Sequence, residues 1–109
     1  MDKELDKKIR IHQLYDLYSS LLTEKQKTAI EYYYLDDYSL SEIAEILKVS
    51  RNAIHEQITI ATTYLEEYET KLGLLNNQEK LAKLIEKYQK LSGQNDTLKA
   101  LLKELEMME

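Results

Sequence analysis

An all-α fold organised around a helix-turn-helix is predicted for this chain, and three observations carry the prediction. The 109 residues include no proline and only two glycines, so little interrupts a helix once it has begun. Hydroxyl and acidic residues stand where helices can be capped, and at Thr23 and Ser39 a Gln or Glu follows three residues later, the pattern of a capping box. Between the caps, Leu, Ile and Tyr recur at spacings of three and four, which gathers them on one side of a helix.

Taken in order, Asp2 to Leu22 reads as the first helix. Its apolar residues, among them Leu5, Ile9, Leu14, Tyr18 and Leu21, are too many for one stripe, so the helix needs more than one neighbour. The helix-turn-helix core is one candidate and a second copy of the chain is the other. Thr23-Glu24-Lys25-Gln26 starts a helix that runs through Ala29, Ile30 and Tyr33 to about Leu35. Asp36-Asp37-Tyr38 is a loop, since aspartates are poor helix formers and good turn residues.

The centre of the chain is Ser39 to Leu72. Ser39 and Glu42 box the start of a short helix ending at Leu47, Lys48-Val49 make the turn, and Ser50 caps a long second helix. Ile54, Ile58, Ala61, Leu65, Tyr68 and Leu72 alternate steps of four and three along that helix, so they share a face. Ala44 supplies the small residue that a steep crossing over a short turn requires. Ile43, Leu47, Val49, Ile54 and Ile58 are expected to form the shared core.

Beyond Leu72, Gly73 stands where a left-handed cap belongs and Asn76-Asn77 reads as a loop or cap. Gln78 to Leu91 is a helix with Leu81, Leu84, Ile85, Tyr88 and Leu91 on one side, and Asp96 can cap a last helix bearing Leu98, Leu101, Leu102, Leu105 and Met108. The expected organisation is a helix-turn-helix domain of about four helices over 1–75, with a helical hairpin over 76–109 packed on it as an extension.

Composition narrows the function. Cysteine is absent, which excludes a disulfide framework and thiolate metal sites. No signal peptide and no run long enough to span a membrane is seen, so a soluble cytoplasmic protein is expected. His12 and His55 fall on different helices and no Gly-rich phosphate loop is present, so catalysis, metal binding and cofactors have no support and the chain reads as a non-enzyme. The net charge is −5, and residues 39–72 carry three Lys or Arg against six Glu. Nucleic-acid binders usually gather cations on the binding face, because phosphate neutralisation supplies much of the affinity.

Four groups of residues are candidates for function. If the long helix enters a major groove, Ser50, Arg51, Asn52, His55, Glu56 and Thr59 near its start face the nucleic acid. Arg51 could pair with guanine or phosphate, Asn52 could read adenine, and the helix start attracts a phosphate; the plain alternative is a solvated polar face. A homodimer is expected through Leu14 and Tyr18 of the first helix and Ala61, Leu65, Tyr68 and Leu72 of the long one. Lys80, Lys83, Lys87 and Lys90 line one side of the penultimate helix, but Glu79 and Glu86 precede Lys83 and Lys90 by four residues, as on an exposed helix with no partner. Tyr32, Tyr33, Tyr34 and Tyr38 could stack on bases, and an interface with the rings covered and the hydroxyls wet is preferred.

The run from Ile30 to Leu40 (IEYYYLDDYSL), followed by Glu42-Ile43-Ala44-Glu45 and Val49-Ser50-Arg51-Asn52-Ala53-Ile54, closely resembles the YlxM family of small bacterial proteins. The match covers about Leu14 to Leu72, and the helix-turn-helix looks like the promoter-binding C-terminal domain of bacterial sigma factors. The family is associated with the signal recognition particle and its members are described as DNA-binding regulators. The resemblance therefore implies a nucleic-acid-binding regulator, with duplex DNA or signal recognition particle RNA as partner. The alternative is a protein–protein adaptor for a protein of that particle or its receptor. Two departures matter: Lys48 stands where relatives commonly have glycine, and Thr59-Ile60 replaces a basic pair, which removes phosphate contacts.

Overall fold

A computed structural model of the protein describes residues 2–109. Asp2 opens α1 (Lys3–Tyr18), its carboxylate accepting from the N–H groups of Glu4 and Leu5 at 2.9 and 3.4 Å. The helix stops earlier than the expected Leu22: after Tyr18 the chain tightens into a 3₁₀ turn over Ser19–Leu21. The Leu22 N–H closes this turn onto the Ser19 carbonyl at 3.0 Å. The Thr23 capping box forms as expected, with both reciprocal bonds made to Gln26, and starts α2 (Glu24–Ile30).

From Glu31 to Leu35 the helix widens into a π turn. Here the Asp36 N–H reaches back five residues to the Glu31 carbonyl at 2.8 Å. Such a turn holds one residue more than an α turn, so the three tyrosines point to different surroundings. Tyr34 is buried, while Tyr32 stacks on Tyr38 with ring centroids 5.2 Å apart. His12 Nε2 lies 2.8 Å from the Tyr34 carbonyl. The loop expected at Asp36-Asp37-Tyr38 is present, with Asp37 left-handed at φ 61° and paired with Lys8.

The helix-turn-helix consists of α3 (Leu40–Leu47) and α4 (Arg51–Leu72). At the start of α3 the Glu42 carboxylate accepts from the Ser39 N–H at 3.0 Å, and Ser39 Oγ accepts from the Glu42 N–H at 3.1 Å. The hydrogen bond from the Ser39 backbone, and then that involving its hydroxyl, hold the Glu42 carboxyl below the ordinary glutamate range. A group depressed on folding adds stability above its unfolded pKa and loses it as pH falls through the folded one. The gap in melting temperature between wild type and Glu42→Ala is therefore expected to be widest near neutral pH and to close in acid. A gap unchanged by acid would show that the box does not depend on the charge.

Lys48 ends α3 with φ 56° and ψ 46°, the left-handed conformation that glycine adopts without penalty. Lys48→Gly is expected to raise the unfolding free energy by up to about 1 kcal/mol in urea titrations, the strain relieved being partly offset by a more flexible unfolded chain. A destabilised variant would mean that the lysine side chain contributes more than its backbone costs.

α4 packs against α1, α2 and α3 and is the central helix of the first unit. Tyr18, Leu14, Ile30, Ile43 and Leu65 are its fully buried large side chains, joined by Ala61, Ile54 and Ile58. Ala44 is buried, as the crossing requires. Leu47 and Val49 depart from the expected core: they are 37% and 43% exposed. The left-handed Lys48 turns the chain outward between them, so they edge a surface groove instead.

The chain divides into two compact units, the first ending at Leu72 and the second starting at Gly73. The second unit is an antiparallel pair, α5 (Leu74–Ser92) and α6 (Asp96–Glu106). The loop expected at Asn76-Asn77 is helical, because left-handed Gly73 (φ 64°) alone separates α4 from α5 and the Asn77 N–H bonds to its carbonyl at 2.9 Å. The cap of α6 is Asn95, not the expected Asp96; its side-chain oxygen accepts from the Leu98 N–H at 3.0 Å. Among the described residues the six α-helices are accompanied by no strand, which makes the fold all-α.

Candidate nucleic-acid interface

Ser50 sets the start of α4, its hydroxyl oxygen accepting from the Ala53 N–H at 3.0 Å. Ala53, Ile54, Gln57 and Ile58 turn toward the rest of the unit, and the helical period then turns the intervening positions outward. The structure brings Ser50, Arg51, Asn52, His55, Glu56 and Thr59 together as expected, all exposed on the first three turns of α4. Not all are equally available. Thr59 donates its hydroxyl to the His55 carbonyl at 2.9 Å, which leaves it only lone pairs to offer. The Ser50 hydroxyl proton is still free to donate while its oxygen caps the helix. Among the described residues Arg51 makes no ion pair.

The first turns of the helices differ in charge. α1, α2, α3 and α6 each carry an acidic residue in the first turn, which answers the positive end of the helix dipole. α4 carries none. At the start of α4 the N–H groups that Ser50 does not cap, together with Arg51, are electropositive groups on a unit that is acidic as a whole, and such a helix start suits a phosphate.

Two nearby cations were not foreseen as part of the site. Lys48 is exposed in the turn itself, two residues before Ser50. Lys25 of α2 lines a groove of about 340 Å³ with Leu47, Val49, Ala53, Ile54 and Gln57, directly beside the start of α4, and its neighbour Glu24 lines the same groove. Lys48 could have been found from its place in the chain. Lys25 could not, since only the packing of α2 on α4 brings it there.

The expected dimer seam is rearranged. Leu14, Tyr18, Ala61 and Leu65 are covered by their own chain, with exposures from 0% to 1%. Part of the apolar surplus of the first helix is thus used within one copy, because α1 meets both the π turn and α4, while Leu5, Ile9 and Leu21 stay exposed. Tyr68 is half-buried, its ring centroid 6.0 Å from that of Tyr18 and its hydroxyl donating to the Leu21 carbonyl at 3.3 Å. Of the six residues only Leu72 is substantially exposed.

The tyrosine run stands on the π turn. Tyr32 and Tyr33 are half-buried and Tyr38 is exposed; burial, and then Tyr33, push the Tyr34 phenol above its ordinary value, so it stays neutral. Lys80, Lys83, Lys87 and Lys90 are exposed on α5, and Lys90 pairs with Glu86 at 3.5 Å, one turn away. Among the described residues no cluster of side chains suited to a metal ion is found, and no helix is long and apolar enough to cross a membrane.

A family model described as "Putative helix-turn-helix protein, YlxM / p13 like" matches residues 5–105. The UPF0122 protein of Geobacillus kaustophilus is 43% identical over 109 residues, with 96% of this chain and 99% of the relative covered. That of Halalkalibacterium halodurans is 44% identical over 108 residues, again covering 96% and 99%. That of Staphylococcus epidermidis is 42% identical over 106 residues, covering 97% of this chain and 96% of the relative. Since both the family model and these relatives extend over nearly the whole chain, the protein belongs to the UPF0122 family of YlxM / p13-like helix-turn-helix proteins.

Proposed function

We propose that this is a nucleic-acid-binding helix-turn-helix regulator of the cytoplasm, without catalytic chemistry of its own, which acts in the signal recognition particle pathway. The observation that carries the binding role is the start of α4, free of acidic residues in its first turn and bordered by Arg51, Lys48 and Lys25. The pathway rests on the resemblance of Ile30 to Leu40 and the helix-turn-helix to the YlxM family. Two copies would present two such helices and double the phosphate contacts, as dimeric helix-turn-helix proteins do.

A titration of the full chain against duplex DNA and against signal recognition particle RNA, at two salt concentrations, tests this. With one to three cations per copy in reach, the logarithm of the DNA affinity is expected to fall with that of salt at a slope of about −1 to −3 per copy. Absence of binding to either nucleic acid at low salt would sink the regulator reading.

The second reading, an adaptor for a protein of the particle or its receptor, draws on a different observation. Residues 39–72 hold twice as many acidic as basic side chains, three Lys or Arg against six Glu. Such a surface repels a phosphate chain away from the start of α4 and suits a basic protein. Capture of a purified particle protein by a chain that ignores nucleic acid would favour it.

A further inference from the structure

The hairpin of α5 and α6 leaves an apolar face bare. Ile85 and Ser92 on α5 and Leu102 on α6 are buried and mark the sides on which the two helices meet. One residue before Ile85 and Leu102 stand Leu84 and Leu101, 48% and 51% exposed. A step of one residue is a rotation of about 100° round the helix axis. Because the helices run antiparallel with their seams opposed, that same rotation carries both leucines to one face of the hairpin. Tyr88 and Leu91 continue the α5 stripe four and seven residues on, and Leu105 continues the α6 stripe four residues on, with Met108 just beyond the end of that helix. Leu91 is 66% exposed and Met108 77%. Together Leu84, Tyr88, Leu91, Leu101 and Leu105 form a patch on the order of several hundred Å², the size that marks an interaction surface.

The borders of this face say what fits it. Next to the stripe on α5, on its outer edge, the helical period places Lys80 and Lys87, and Lys87 Nζ lies 5.3 Å from the centre of the Tyr88 ring. The matching outer edge of α6 carries Glu104. Residues 73–109 are neutral, with six Lys against six acidic side chains, whereas residues 1–72 hold nine basic against fourteen acidic. The hairpin is thus the part of the chain that can meet its own copy without net repulsion.

We propose that a second copy of this chain covers the face, the two hairpins stacking as a four-helix bundle about a two-fold axis parallel to the helices. This operation sets α5 of each copy over α6 of the other. Both apolar stripes are then covered, and the lysine edge of one hairpin meets the Glu104 edge of its partner. The patch falls below the roughly 800 Å² per partner of a standard interface, so a weak, reversible association is expected. The proposal does not rest on nucleic-acid binding and is measured without it.

Sedimentation equilibrium on the full chain is the test. Wild type is expected to show a reversible monomer–dimer equilibrium in the micromolar range. Leu84→Glu combined with Leu101→Glu, at two exposed positions, is expected to stay monomeric there while keeping its helical circular dichroism. Lys87→Glu and Glu104→Lys are each expected to weaken the dimer about tenfold, and the two together to restore it. A wild-type chain that is monomeric throughout, or a dimer that survives the paired leucine substitutions, would overturn the proposal. Failure of the charge exchange to restore the dimer would overturn the α5-over-α6 arrangement.

Discussion

Leu65→Ala is expected to lower the unfolding free energy by about 2–5 kcal/mol, the range for truncating a buried leucine when the space left behind cannot collapse. Leu65 is fully buried on the central helix of the first unit. Leu72, two turns further along the same apolar seam, is 52% exposed; Leu72→Ala is expected to change stability by no more than about 0.5 kcal/mol. Urea denaturation followed by circular dichroism measures both. Equal small losses would mean that the seam is surface and that Leu65 had been free to meet a partner.

The next largest effect is expected on binding. Arg51→Ala is expected to cost about 1–3 kcal/mol per site in affinity for duplex DNA and to make the salt dependence shallower by about one unit of slope. The residue is exposed in the first turn of α4 and among the described residues pairs with no carboxylate, so its removal should leave the melting temperature unchanged. Fluorescence anisotropy at two salt concentrations reads both quantities. An affinity and slope that match wild type would move the phosphate contact away from the start of α4.

Most of the fold could be read from local chemistry. The boxes at Thr23 and Ser39 and the cap at Ser50 are legible because the partners lie within three residues of one another. The alternation of fours and threes from Ile54 to Leu65 was a sound guide to the buried face of α4. What failed depended on tertiary context or on one torsion. A pair of asparagines reads as a loop, yet left-handed Gly73 hands the chain straight into α5. Leu47 and Val49 fit a core by composition, and the outward turn at Lys48 makes them the rim of a groove. The surplus of apolar residues on α1 signalled a need for neighbours but could not say whether they belonged to the same copy. In the candidate interface, the exposed positions on α4 follow from the helical period, whereas Lys25 enters only through the packing of α2.

The π turn over Glu31–Leu35 bears on how freely the length of this chain can vary. Such a turn is an α-helix that has taken in one insertion and kept its ends in place. The distance in residues between the Thr23 and Ser39 caps is therefore not a fixed ruler: one residue can be lost by closing the turn to ordinary α geometry, with α3 undisturbed. A chain lacking Tyr33 is expected to keep its helical circular dichroism and cooperative melting, with a modest loss of stability as the carbonyl that meets His12 is drawn back into the helix. Collapse of the fold would show that all three tyrosines are needed in their places. Length polymorphism in this family is accordingly expected to be tolerated at the tyrosine run, where the backbone already holds a spare residue, and not between Ser39 and Ser50, where the caps and the left-handed Lys48 fix every position.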